Sequence, residues 1–189
     1  MIPLITQTPR LQILAASRAL LTAELQKPQY FPMLLGAALP ADWNSAQVAR
    51  PALEQSLEQL TAGGRDAAGW HGWYALRKAD DTAPRTLVGA ASFLGRPDAT
   101  GTAEITFAIA ADWRGQGLGT ELVAGLVQQA ADTGLVRRLI ARPAADNAAG
   151  QRVLLRNGFV QTDPAADDGL LRFERAVEPS LPPALPAGA

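Results

Sequence analysis

Apolar positions along this chain switch between an alternating and a helical period, and the switches mark its elements. Leu11 to Leu14 reads as a first strand, and Ser17 is placed to cap a helix through Leu25. Residues 28 to 50 lose the rhythm at Pro28, Pro32 and Pro40, with one short helix expected over Phe31 to Ala38. Pro51 suits the first turn of a helix over Ala52 to Leu60, with Leu53, Leu57 and Leu60 on one face and Gly63-Gly64 ending it. Trp70 to Arg77 and Thr86 to Leu94 then read as a hairpin, followed by a central strand from Glu104 to Ala110.

The helical period returns at Leu118. Leu118, Leu122, Val123, Leu126, Val127 and Ala130 share a face, and Gly134 stops the coil. Arg138 to Arg142 is a strand ended by Pro143, and Asn147 to Asn157 a helix closed by Gly158. Phe159 to Thr162 and Leu170 to Val177 complete a sheet around an Asp-rich turn. Strands run first as a meander and helices enter later, so the expected class is α+β with a mixed central sheet flanked by helices. Residues 1–177 are expected to form a single domain. The Pro- and Ala-rich tail, 178–189, lacks periodicity and is expected to be disordered.

Between the central strand and the long helix lies Trp113-Arg114-Gly115-Gln116-Gly117-Leu118-Gly119-Thr120. The first N–H groups of a helix have no internal partner, and its dipole gathers positive charge there. Glycines let an anion approach those donors, and Arg114 adds a cation suited to bidentate phosphate contact. Three alternating glycines cost helix stability, which a solvated surface turn has little reason to accept. A pyrophosphate is the natural guest.

Composition narrows the chemistry. The 189-residue chain is 48% hydrophobic and 19% charged with net charge -1, so it lacks the basic excess of a nucleic-acid binder. It has no cysteine, which excludes a thiol nucleophile, a disulfide framework and a thiolate metal site. With one histidine, His71, it offers no histidine-based metal cluster either, and no metal is expected. No apolar run approaches the roughly 20 residues of a membrane-spanning helix. The N-terminus, broken by Pro3 and Arg10, makes a poor signal peptide, so a cytoplasmic location without membrane association is expected.

The Walker pattern is absent, and the dinucleotide fingerprint has different glycine spacing and an acidic residue about 20 positions on, where Leu135 to Arg142 holds arginines and no acid. An NADP-dependent reductase using Arg137 or Arg138 is one alternative. Arg114 to Thr120 more closely resembles the coenzyme A pyrophosphate loop of the GNAT N-acetyltransferase superfamily. Downstream, Asn147-Ala148-Ala149-Gly150-Gln151-Arg152-Val153-Leu154-Leu155-Arg156-Asn157-Gly158-Phe159 resembles a second segment of that family. Thr8-Pro9-Arg10-Leu11 looks like the opening of the ribosomal-protein N-terminal acetyltransferase branch. The resemblance spans roughly residues 6 to 177. It implies a mostly antiparallel sheet and acetyl transfer from acetyl-CoA straight to a primary amine, either a peptide α-amine or a small-molecule amine, by a monomer or homodimer.

The resemblance also implies roles. Phe107, Ala108 and Ile109 would lend backbone to the pantetheine arm and an N–H to the developing oxyanion. Arg114, Gly115, Gln116, Gly117, Leu118, Gly119 and Thr120 would hold the diphosphate. Asn147 would touch the coenzyme or a water near the thioester, although it also suits a helix cap. Glu104 matches the acid that many relatives use as general base, and equally suits a strand-end charge paired with an arginine. Two departures stand out: Leu154 replaces a thiolate-protonating tyrosine, and Gly150 replaces a serine. They make a non-catalytic acyl-CoA-binding sensor the main alternative. A coenzyme A thiol has a pKa near ~8.5, so its thiolate leaves without full protonation.

Other residues carry weaker signals. His71 reads as a packed residue between Trp70 and Gly72. Trp43, Trp70, Trp73 and Trp113 read as core or cleft wall, and Tyr30, Phe31 and Trp43 as an acceptor wall. Asp163, Asp167 and Asp168 either draw a cationic amine or stay solvated. Arg137, Arg138, Arg152 and Arg156 are mostly surface charge, with one contact to the adenosine phosphate among them.

Overall fold

The computed structural model describes residues 3–41, 43, 50–81, 83–163 and 169–180. Eight strands form one sheet in the order β1-β2-β3-β4-β5-β6-β8-β7. They are β1 Ile5–Gln7, β2 Leu11–Ala15, β3 Gly72–Arg77, β4 Thr86–Phe93, β5 Thr102–Ile109, β6 Arg138–Ala141, β7 Val160–Asp163 and β8 Arg172–Ala176. Only β5 and β6 run parallel; every other pairing is antiparallel. The expected α+β class with a mixed, mostly antiparallel sheet holds.

Helices cover both faces. On one side, α1 (Arg18–Gln26), α2 (Phe31–Leu35) and α3 (Arg50–Ala67) seal a core with Tyr74, Leu76 and Leu87. On the other, α4 (Leu118–Thr133) and α5 (Ala148–Arg156) pack on Ile13, Trp73, Phe93 and Ile105. Ser17 caps α1 by accepting from Leu20 N at 3.2 Å, as its position predicts. Gly134 and Gly158 take left-handed φ of 67° and 74° just past α4 and α5, also as expected.

Several expectations need correction. β1 is missing from the sequence reading, because three residues are too few to show a period. The short helix stops at Leu35, since Gly36 turns left-handed there. α3 does break at Gly64, where Gly63-Gly64 is expected to end it, but a further helical turn carries on to Ala67. At the other end of the chain, Ser180 N donates to Ala131 O and Ser180 Oγ to Asp132, so the tail is tethered to α4 at least that far. Residues 181–189 lie outside the described residues.

Candidate functional site

The parallel pairing of β5 with β6 positions the site. It runs Thr102–Arg138, Ala103–Leu139, Glu104–Ile140 and Ile105–Ala141, and there it stops. β5 nevertheless continues to Ile109, held on its other edge by β4 through Gly89–Ile109 and Ala90–Ala108. Thr106 to Ile109 therefore line a split in the sheet. A strand edge without a neighbour offers backbone donors and acceptors to an extended ligand.

A cleft of about 390 Å³ opens over this edge. Its walls are Phe107, Ala108 and Ile109 of β5, the turn from Trp113 to Thr120, and Asn147, Gly150, Arg152 and Arg156 around α5. Among the described residues, three arginines (114, 152 and 156) line it and no carboxylate does. A cleft whose charged lining residues are all arginines, at the mouth of a 16-residue helix, suits an anion on both counts. Of the residues expected to hold the coenzyme, all but Gln116 line the cleft; the Gln116 side chain turns back to the Asp112 carbonyl.

The glycines act in two ways. Gly115 and Gly117 sit at φ 75° and 79°, where a Cβ is disfavoured, and so shape the turn. Gly119 sits where α4 meets α5 and β5: a Cβ there would lie 3.4 Å from Val153 and 3.5 Å from Ile109, in ordinary contact with both. Among the described residues, the backbone N–H groups of Gly115, Gln116, Gly117, Leu118, Gly119 and Thr120 donate no hydrogen bond. Arg114 folds back, its Nε donating to Ile109 O at 3.0 Å.

Behind the turn lies a contact that sequence reasoning missed. Arg10, in the β1–β2 turn, donates from Nε to Glu121 Oε2 at 2.7 Å and from Nη1 to Gln116 O at 2.9 Å. Glu121 also accepts from Thr8 Oγ1 and from the Arg10 backbone N–H, each at 2.6 Å. Burial raises the Glu121 pKa, but these hydrogen bonds outweigh it and hold the carboxyl below its usual range. A sequence separation of 111 hides this pairing from any local pattern.

Asn147 caps α5, accepting from Gly150 N at 2.9 Å, while also facing the cleft. A Cβ on Gly150 would lie 2.7 Å from Asn147 Nδ2, so a side chain there would have to displace the Asn147 amide. Leu154 is fully buried in the core and takes no part in the cleft. Glu104 points to the opposite sheet face from Ile105, Phe107 and Ile109, and shares that face with Thr106 and Ala108. Among the described residues its carboxylate has no hydrogen bond or ion pair, so the expected arginine partner is not seen.

Phe31 and Trp43 are core residues, 1% and 2% exposed, rather than an acceptor wall. Trp43 Nε1 and the Tyr74 hydroxyl both donate to the buried Glu24. Tyr30 lies instead in an open groove between α1, α2 and α3. Trp70 and Trp73 are core residues, and Trp113 forms the cleft wall under the Arg77 guanidinium, 5.5 Å from its ring centre. His71 is half-buried and its pKa is lowered by that burial. Arg137 and Arg138 lie on the surface, Arg138 pairing with Glu174 at 3.3 Å. Asp163 is exposed; Asp167 and Asp168 lie outside the described residues.

The sequence model of the acetyltransferase (GNAT) domain matches residues 23–160. The chain belongs to the GNAT acetyltransferase family. It is 31% identical over 99 residues to YjdG, an uncharacterised N-acetyltransferase of Bacillus subtilis (strain 168). That match takes in 52% of this chain and 56% of the relative, so the chain spans about half the length of the curated relative it matches. The GNAT fold extends further. RimL, a ribosomal L7/L12 α-N-protein acetyltransferase solved with coenzyme A, superposes with TM-score 0.61 at 19% identity, covering 95% of this chain and 99% of its own. MccE, a microcin C7 self-immunity acetyltransferase solved with acetyl-CoA and AMP, gives 0.58 at 17% identity, covering 90% and 94%. Among the described residues no helix is long and apolar enough to cross a membrane, and no His, Cys, Asp and Glu cluster is arranged to hold a metal.

Proposed function

We propose that this chain transfers an acetyl group from acetyl-CoA directly to a primary amine. The observation that carries the reading is the split beside Thr106–Ile109, opening onto a cleft with three arginines, no carboxylate and a run of unbonded amides. Gly115 to Thr120 and Arg114 hold the diphosphate, and the free edge of Phe107, Ala108 and Ile109 pairs with the pantetheine arm. One N–H of that edge stabilises the negative charge that grows on the thioester oxygen as the amine nitrogen attacks. The C–S bond then breaks and the thiolate departs. Asn147 orders the amide-bearing start of α5 beside the thioester. Residues 1–177 serve this as one domain.

Glu104 receives the proton that the amine loses. It lies three strand steps from Phe107, about 10 Å along β5, so it acts through water rather than by contact. With no carboxylate or histidine among the described residues that line the cleft, an amine that is already partly neutral is favoured. A peptide α-amine has a pKa of ~7.7–8.0 against ~10.4 for lysine, a difference of about 3–4 kcal/mol in deprotonation. Coenzyme A release over a panel of α-amino and ε-amino peptides tests this; a preference for lysine rejects it.

A second reading, a non-catalytic acyl-CoA-binding sensor, has one observation in its favour: among the described residues, arginines are the only charged groups lining the cleft. Binding of acetyl-CoA without turnover over that panel selects it.

A further inference from the structure

We propose that Arg10 is a positioning residue for the diphosphate loop, aiming its amides into the cleft from behind. The inference rests on the reading of that loop given above. No peptide bond here is cis, so the carbonyl of Gln116 and the N–H of Gly117 point in opposite directions. Arg10 Nη1 holds that carbonyl at 2.9 Å, and the Gly117 N–H is thereby turned away from Arg10. The same guanidinium grips Glu121 in the first turn of α4, so one planar group ties the loop to the helix it feeds.

The anchor is itself fixed. Lys78 Nζ donates to Thr8 O at 2.6 Å, and Lys78 N donates to Arg10 O at 2.9 Å, which locks the β1–β2 turn to the end of β3. Arg10 is not among the cleft-lining residues, so it acts through the loop and not on the ligand. A lysine cannot reproduce the contact, because a single ammonium does not span a carboxylate and a carbonyl as the planar fork does.

The test compares acetyl-CoA with acetyl-pantetheine, a thioester lacking the diphosphate, as donors for wild type, Arg10→Ala, Arg10→Lys and Glu121→Gln. We expect kcat/KM for acetyl-CoA to fall on the order of 10- to 100-fold in both Arg10 variants, a cost typical of misplaced binding groups. The fall should sit mainly in KM, with acetyl-pantetheine unchanged and Glu121→Gln moving the same way by less. Equal losses with both donors, or full rescue by lysine, overturn the proposal. Failure of wild type to take up coenzyme A in calorimetry would instead remove the reading beneath it.

Discussion

Ile105 pairs with Ala141, and beyond that pair β5 has no partner on β6. One register position therefore divides a structural half of the strand from a half with free backbone groups. The arginine-lined cleft lies over the free half.

Gly117 is the strictest test of the loop. Its φ of 79° excludes a β-branched side chain without strain of about 1–3 kcal/mol. Gly117→Val is expected to weaken acetyl-CoA binding about tenfold or more in calorimetry while the far-ultraviolet circular dichroism stays unchanged. Undiminished uptake would disconnect the loop from the coenzyme.

Arg114 is exposed but pinned at Nε, so it meets a phosphate with little further ordering. Arg114→Ala should raise the acetyl-CoA Kd by roughly tenfold, near the ~1.5 kcal/mol lower bound for a hydrogen bond to a charged group. Rising salt should narrow the gap between variant and wild type, because exposed charge is screened. A gap that ignores salt would argue against a phosphate contact.

Glu104 is expected to matter for rate and not for coenzyme binding. Glu104→Gln should lower kcat for an α-amine by about 10²–10⁴-fold, the usual range for losing a general base, with Kd for acetyl-CoA unchanged. Stopped kinetics with thiol release as the signal decides it. An unaltered kcat would leave water alone as the proton acceptor.

Two glutamates make opposite contributions to acid stability. Burial raises the Glu24 pKa, only partly offset by the Tyr74 and Trp43 hydrogen bonds. The native state therefore keeps a proton that the unfolded chain has released, and stability falls as pH rises from about 4.3 through the raised value. Glu121, held below its usual range, contributes stability above about 4.3 that is lost as pH falls through its depressed value. Glu24→Gln, which keeps an acceptor for Trp43, should flatten the decline of Tm above pH 4.3. An unchanged slope in calorimetric melts would place that titration elsewhere.

Much of this protein was legible along the chain. Alternation and helical period located most elements, since each buries one face, and the glycine turn before an amphipathic helix marked the place where the cleft lies. Local chemistry also assigned the caps at Ser17 and Asn147, because a cap acts within three residues. What the sequence could not supply were facts between distant segments. Nothing local said where the β5–β6 pairing ends, that Arg10 would reach Gln116 and Glu121, or that Phe31 and Trp43 would be core rather than cleft wall. Periodicity reports which side of an element is buried, and only the packed fold decides what it is buried against.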